Sequence, residues 1–228
     1  MQTEQPGRFR SVSRSPDIRS RLKMYFVMGS PDCAGDPKQT LAAAIRGGIT
    51  AFQFREKGEG ALSGEAAYQL AAALKNQCEK AGVLFLVNDD ADLALRLNAD
   101  GVHVGQEDEP PAAVRRKLGK DKIIGVSAHN VQEALLAAEQ GADYIGVGPM
   151  YETKTKKDAR AVCGPEMIRE MRLAGISLPI VGIGGITPDR ALPVIQAGAD
   201  GVAVVSAISR ATDPQEAVHA FYRFMGKV

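Results

Sequence analysis

The chain has 228 residues and carries 28 Lys and Arg against 27 Asp and Glu, which excludes a general nucleic-acid binder with a strongly basic face. No apolar run reaches the length of a membrane span. Cys33, Cys78 and Cys163 lie far apart with no paired spacing, pointing to a reducing, cytoplasmic setting and away from disulfides or a zinc site. His103, His129 and His219 are equally scattered, and each reads as an ordinary structural or surface histidine.

Residues 1–21 stand apart. "GRFRSVSRSPDIRSR" is rich in Arg and Ser and lacks the hydrophobic stretch of a secretory signal. It reads as an arm, flexible or ending in a short helix, before a single domain over 22–228. From Leu22 onward, short apolar runs alternate with Ala- and Leu-rich stretches of helical period. The runs are Met24–Met28, Ile49–Phe54, Val83–Val87, Gly101–Val104, Ile123–Val126, Tyr144–Val147, Ile180–Ile183 and Val202–Val205. The stretches are Pro37–Arg46, Gly64–Ala81, Asp90–Leu97, Pro111–Leu118, Val131–Gln140, Pro165–Ala174, Pro188–Ala197 and Pro214–Met225. Asp36, Thr187 and Asp213 stand where N-caps belong, and proline opens several helices at a position where its missing N–H costs nothing.

Eight strands alternating with eight helices, about one unit per 25–28 residues, predict a (β/α)₈ TIM barrel, with an open doubly wound sheet as competitor. A repeat favours the barrel. "RGGITAFQFR", "LNADGVHVGQ", "EQGADYIGVG" and "QAGADGVAVV" lead into the second, fourth, sixth and eighth strands. Units recurring every two strands suit a closed ring. Asp100, Asp143 and Asp200 then fall at strand starts, where they read as turn-formers with a stability role.

In such a barrel the chemistry lies at the carboxyl ends of the strands. The second strand ends in "QFREK". Gln53, Arg55 and Lys57 are spaced two apart and so share a face, while Phe52 and Phe54 take the other. The third strand ends in Asn88, Asp89 and Asp90, and the fourth runs into Asp108. Asp89 and Asp108, opposite the basic group, suit Mg²⁺ on a phosphate-bearing substrate, or equally an acid–base network without metal. Asp90 reads as an N-cap. Gly184 and Gly185 after the seventh strand, with a helical turn after the eighth, suit a phosphate. "GIGGIT" is no dinucleotide fingerprint, because position 187 is Thr and no acid ends the next strand. Ser127 near His129 lacks a nucleophile elbow, so its hydroxyl reads as a phosphate contact or an ordinary strand-end serine.

"QFREK", "VNDD", "ADGVHVGQED", "GVSAH", "GVGPMYETKTK", "PIVGIGGI" and "GADGVAVVSAI", in this order, resemble the thiamine-phosphate synthase family from about Tyr25 to Phe224. The resemblance implies a transferase that joins hydroxymethylpyrimidine diphosphate to a thiazole phosphate and releases pyrophosphate. It implies Mg²⁺ on Asp89 and Asp108. Gln53, Arg55, Lys57 and Asn88 would contact the pyrimidine diphosphate, with Phe54 and Glu56 in the same segment. Ser127 and Lys156 would hold the departing diphosphate. Thr153, Lys154 and Thr155 would meet the thiazole phosphate, with Gly185, Val205 and Ser206. The family mechanism is dissociative: the C–O bond breaks to a pyrimidine carbocation, which the thiazole nitrogen then attacks. No base or nucleophile is then required, and Arg55, Lys57, Ser127 and Lys156 are the expected catalytic residues. Phe54 and Glu152 depart from the family's usual residues. The implied partners are two small molecules, without nucleic acid or membrane, and a homo-oligomer is compatible. A thiazole tautomerase on the same barrel would not need the diphosphate apparatus, and a sensor of thiamine intermediates would not turn over.

Overall fold

The computed structural model describes residues 18–153 and 161–226. Most of the N-terminal arm and the expected site residues Lys154, Thr155 and Lys156 fall outside that range. The described elements begin with α1 (Ile18–Arg21), β1 (Met24–Met28), α2 (Pro37–Gly47), β2 (Ala51–Phe54), α3 (Gly64–Ala81), β3 (Leu84–Asn88), α4 (Ala91–Leu97) and β4 (Gly101–Val104). They continue with α5 (Pro111–Leu118), β5 (Ile123–Ala128), α6 (Val131–Glu139), β6 (Tyr144–Val147), α7 (Glu166–Leu173), β7 (Ile180–Ile183), α8 (Pro188–Gln196), β8 (Gly201–Val204), α9 (Ser206–Ser209) and α10 (Pro214–Met225). All eight strands are parallel, and β8 pairs with β1 to close the ring. This is the (β/α)₈ barrel that the alternation predicts, with boundaries shifted by a residue or two.

Local chemistry sets the helix starts. Asp36 accepts from the Gln39 N–H, Asp90 from Leu93 and Asp213 from Gln215 and Glu216. Thr187 is a correction: it occupies the N-cap of α8, yet its hydroxyl donates to Asp189 Oδ1 at 2.7 Å and caps no backbone N–H.

Strand alternation splits the apolar residues into two cores. Phe26, Phe52, Phe54, Phe85, Val102 and Val126 face outward and pack against the helices. Tyr25, Val27, Ala51, Leu84, Leu86, Tyr144, Val181 and Ala203 fill the lumen, and Leu22 closes it below.

The two-strand repeat is a hydrogen-bond device at the barrel floor. Asp100 N–H donates to the Phe85 carbonyl (3.0 Å), and Asp100 Oδ2 accepts from the Phe85 N–H (2.8 Å). Asp143 makes the same pair with Ile124 (2.7 and 2.8 Å), and Asp200 with Ile180 (2.7 and 2.8 Å). In the first repeat Thr50 does it with a hydroxyl, gripping Met24 at 2.8 and 2.9 Å. Each even strand thus begins by clamping one residue of the odd strand before it, and a buried N–H gains an acceptor. Asp100, Asp143 and Asp200 are clamps rather than simple turn-formers. Two of them also hold a cation: Arg115 lies 2.5 Å from Asp143, and Arg172 lies 2.7 Å from Asp200.

Asp100→Ala should destabilise the barrel by about 1–3 kcal/mol, the cost of one orphaned buried N–H. Asp143→Ala should cost more, about 2–4 kcal/mol, because it also leaves Arg115 uncompensated. Urea unfolding midpoints check the order, and turnover per folded molecule should be unchanged in both. Equal midpoints for wild type and Asp100→Ala would contradict the clamp.

Candidate active site

The carboxyl ends of the strands open into one cavity of about 760 Å³, lined by Arg55, Lys57, Asn88, Asp89, Asp108 and Ser127 on one side. Thr153, Gly185, Val205 and Ser206 line the other side. Arg55, Lys57, Asn88, Asp89, Asp108, Ser127 and Gly185 therefore converge on one mouth.

Arg55 and Lys57 continue the inward face of β2 past Phe54, and the Arg55 N–H still donates to the Met28 carbonyl of β1 at 3.0 Å. Lys57 Nζ meets Asp89 Oδ2 directly, and Asn88 Nδ2 donates to the same oxygen at 2.7 Å. Asp89 has a left-handed backbone, φ +62°, a conformation Asp tolerates better than most side chains. The bend separates two neighbouring acids: Asp89 turns into the mouth while Asp90 caps α4. Asp108 Oδ2 accepts from the Gly105 N–H at 2.8 Å. Burial, followed by the adjacent Asp89 carboxylate, raises the Asp108 pKa above the ordinary carboxylate range.

Two hard oxygen donors this close repel one another as anions, and a divalent cation between them would relieve that. Among the described residues no cluster of three or more acids, His or Cys forms a complete metal cage. Two carboxylates with a phosphate and water as further ligands is a donor set that suits Mg²⁺, which fits the residues present.

Across the mouth, Gly184 (φ +98°) and Gly185 (φ +65°) have left-handed backbones. A Cβ on Gly185 would lie 2.5 Å from the Glu152 carbonyl oxygen, so the loop after β6 needs this glycine whether or not a ligand is bound. Tyr151 N–H donates to the Gly184 carbonyl at 3.0 Å and joins loop to turn.

Three expected contacts are corrected. Gln53 is 4% exposed and sits below the cavity wall, its Nε2 donating to the Tyr25 hydroxyl at 2.8 Å. Phe54 faces the helices, as its parity dictates. Glu56 is held elsewhere: its carboxylate accepts from the Ser30 N–H and the Leu62 N–H, both at 2.8 Å.

Residues outside the expected site set also line the cavity. Of the two readings for His103, structural or surface, the structure shows the first: it projects from β4 into the lumen and reaches Ser127 Oγ at 2.9 Å. Its signal was its parity with Gly101, on the inward face. Arg190 and Arg210 bring cations to the glycine-turn side from just past the β7 and β8 ends.

A family model described as thiamine monophosphate synthase matches residues 24–208. The chain belongs to the thiamine monophosphate synthase family. Among its relatives, a thiamine-phosphate synthase of Bacillus licheniformis is 52% identical over 204 residues, covering 90% of this chain and 91% of that protein. One from Bacillus mycoides is 57% identical over 195 residues, covering 86% and 89%. The solved thiamine phosphate pyrophosphorylase of Pyrococcus furiosus superposes with a TM-score of 0.82 at 33% identity, covering 92% of this chain and 98% of that one. The matched span of the thiamine monophosphate synthase family takes in every strand and the whole described cavity rim up to Ser206.

The acidic pair gives a pH prediction. The folded state holds the Asp108 proton more tightly than the unfolded chain does. Its stabilisation is therefore present at low pH and lost as pH rises through the folded pKa. At neutral pH the ionised pair is a net cost. Asp108→Asn keeps an acceptor for Gly105 and should raise the melting midpoint of metal-free protein at pH 7 by about 1–3 °C. The gain should fade as pH falls through the raised Asp108 pKa and Asp108 itself becomes protonated. A lowered midpoint at pH 7 in scanning calorimetry would contradict this account.

Proposed function

We propose that this chain is a Mg²⁺-dependent thiamine-phosphate synthase. It couples hydroxymethylpyrimidine diphosphate with a thiazole phosphate and releases pyrophosphate. The observation carrying the proposal is the convergence of Arg55, Lys57, Asp89, Asp108 and Ser127 on one cavity. The printed names of the relatives agree with it. A cytoplasmic setting belongs to the same reading.

A diphosphate entering at this rim would meet the Arg55 guanidinium and the Lys57 ammonium. Asp89 and Asp108 would hold Mg²⁺, whose charge offsets the anionic leaving group. Lys57 is presently spent on Asp89. With the acids holding a divalent cation, its ammonium would be free to meet phosphate oxygens. Ser127 offers a hydroxyl from β5, and Lys156 a further cation. Glycines 184 and 185, Val205 and Ser206 would receive the thiazole phosphate on the far side, with Thr153 and the segment Lys154 and Thr155.

The reaction suits these residues because it asks for no base. The pyrimidine C–O bond breaks, both its electrons leave with the diphosphate, and the thiazole nitrogen supplies the pair for the new C–N bond. Catalysis is then positioning plus stabilisation of the charge that builds on the leaving oxygens. Each 1.4 kcal/mol gained in the transition state alone gives about tenfold in rate.

Pyrophosphate release should require both substrates and Mg²⁺ together. Lys57→Ala and Asp89→Ala should each lose about 2–5 kcal/mol of transition-state stabilisation, read from kcat/KM, with an unchanged circular dichroism spectrum. Release with the pyrimidine substrate alone would make the chain a phosphohydrolase. Thiazole isomerisation without any pyrimidine would make it a tautomerase. No reaction in well-folded protein would favour a sensor.

A further inference from the structure

Beneath the cavity, the lumen contains a continuous polar chain. Gln53 Nε2 lies 2.8 Å from the Tyr25 hydroxyl, which lies 2.9 Å from the Tyr144 hydroxyl. His103 Nδ1 lies 2.8 Å from Tyr144, and His103 Nε2 lies 2.9 Å from Ser127 Oγ. The chain begins with a buried amide and ends on a hydroxyl that lines the site.

The barrel makes space for it. A Cβ on Gly125 would sit 2.1 Å from the Tyr144 ring, and one on Gly146 would sit 2.9 Å from His103 Cε1. Two strands thus forgo side chains so that these two rings fit.

The directions of the hydrogen bonds follow from counting donors. An amide nitrogen only donates, so the Tyr25 oxygen accepts from Gln53. Tyr25 and Tyr144 are both fully buried, and burial, the largest influence, raises both phenol pKa values, so each keeps its proton. The Tyr25 proton has the Tyr144 oxygen as its acceptor, since Gln53 Nε2 offers none. The Tyr144 proton must then go to His103 Nδ1. With Nδ1 accepting, a neutral imidazole carries its proton on Nε2 and donates to Ser127 Oγ. The serine's own proton is left to point into the cavity.

We infer that Gln53, Tyr25, Tyr144 and His103 form a one-way hydrogen-bond relay that holds His103 as the Nε2–H tautomer and aims the Ser127 hydroxyl as a donor toward an anionic substrate oxygen. These four are positioning residues acting through Ser127. The role of the relay in turnover rests on the diphosphate reading above, whereas the tautomer does not. A reversed Gln53 amide would invert every bond: Ser127 would donate to His103, and the cavity would face a lone pair instead of a proton.

The test is long-range ¹H–¹⁵N correlation on the ¹⁵N-labelled, ligand-free full chain, with His103 assigned by comparison with His103→Gln. A non-protonated Nδ1 beside a protonated Nε2 is expected. An Nδ1–H tautomer, an even mixture or an imidazolium at neutral pH overturns the relay. Gln53→Glu replaces the donor with an acceptor and should move His103 off the pure Nε2–H form; an unchanged spectrum overturns the proposal. Tyr144→Phe should introduce the other tautomer and lower kcat about tenfold with KM little changed, less than the ~10²–10³-fold loss from deleting an anion-stabilising donor outright. His103→Gln, whose amide places an N–H where Nε2 stood, should retain more kcat than His103→Phe. The Nε2–H tautomer in a protein that releases no pyrophosphate would retire the functional reading and leave the relay standing. An active enzyme with the Nδ1–H tautomer would do the reverse.

Discussion

A closed barrel of eight strands has a lumen only as wide as the side chains that fill it. Whatever points inward must fit its neighbours, and a polar group placed there must find its partner within the lumen. That constraint orders this molecule from floor to mouth. At the floor, Leu22 and Ala51 are fully buried and fill the lumen. In the middle, Tyr25 and Tyr144 bond to one another through their hydroxyls. At the mouth, Arg55, Lys57, Asp89 and Asp108 leave the packed layers and meet solvent, where charges are affordable.

The two ends of the barrel treat acids in opposite ways. At the floor, Asp143 and Asp200 are matched by Arg115 and Arg172 and by backbone N–H groups, so their charge holds strands together. At the mouth, Asp89 and Asp108 face each other, and burial and mutual repulsion raise the proton affinity of Asp108. One Lys57 ammonium serves Asp89, which leaves the pair with surplus negative charge. An arrangement that costs stability would have a physical use under the proposed binding of a divalent cation. The left-handed backbone at Asp89 belongs to the same economy of strain near a site.

Much of this was legible from the residues alone. Alternating periods specified the ring, and a small-Ala-Asp turn marked the fourth, sixth and eighth strands. The inward parity of Arg55 and Lys57 put them at the mouth beside Asp89 and Asp108. Other features were hidden for definable reasons. Parity alone also made Gln53 look like a cavity residue, because it does not report depth along the barrel, and Gln53 lies one layer lower. Glu56 carries no local signal of its role because its donors, the Ser30 and Leu62 N–H groups, lie in separate segments whose approach depends on tertiary folding. His103 was passed over because a lone histidine carries no local signal. Its meaning comes from Tyr144, 41 positions away in the chain and 2.8 Å away in space.

The floor clamp and the lumen relay solve the same problem at different depths. Parallel strands leave backbone and side-chain hydrogen-bonding groups that water does not reach, and each must be satisfied from within. At the floor, a repeated short side chain does this four times in nearly the same way, with Thr50 standing where the other units use Asp. Nothing in that task distinguishes one unit from the next, so the repeat survives there. In the middle, the satisfied groups must also connect to a mouth that is different on every side. Gln53, Tyr25, Tyr144 and His103 come from the second, first, sixth and fourth strands, and only Gln53 and His103 hold the same place in the repeat, three residues after the clamp, with different side chains. Symmetry persists where the work is holding the ring together, and it is lost in the first layer that answers to the chemistry above it.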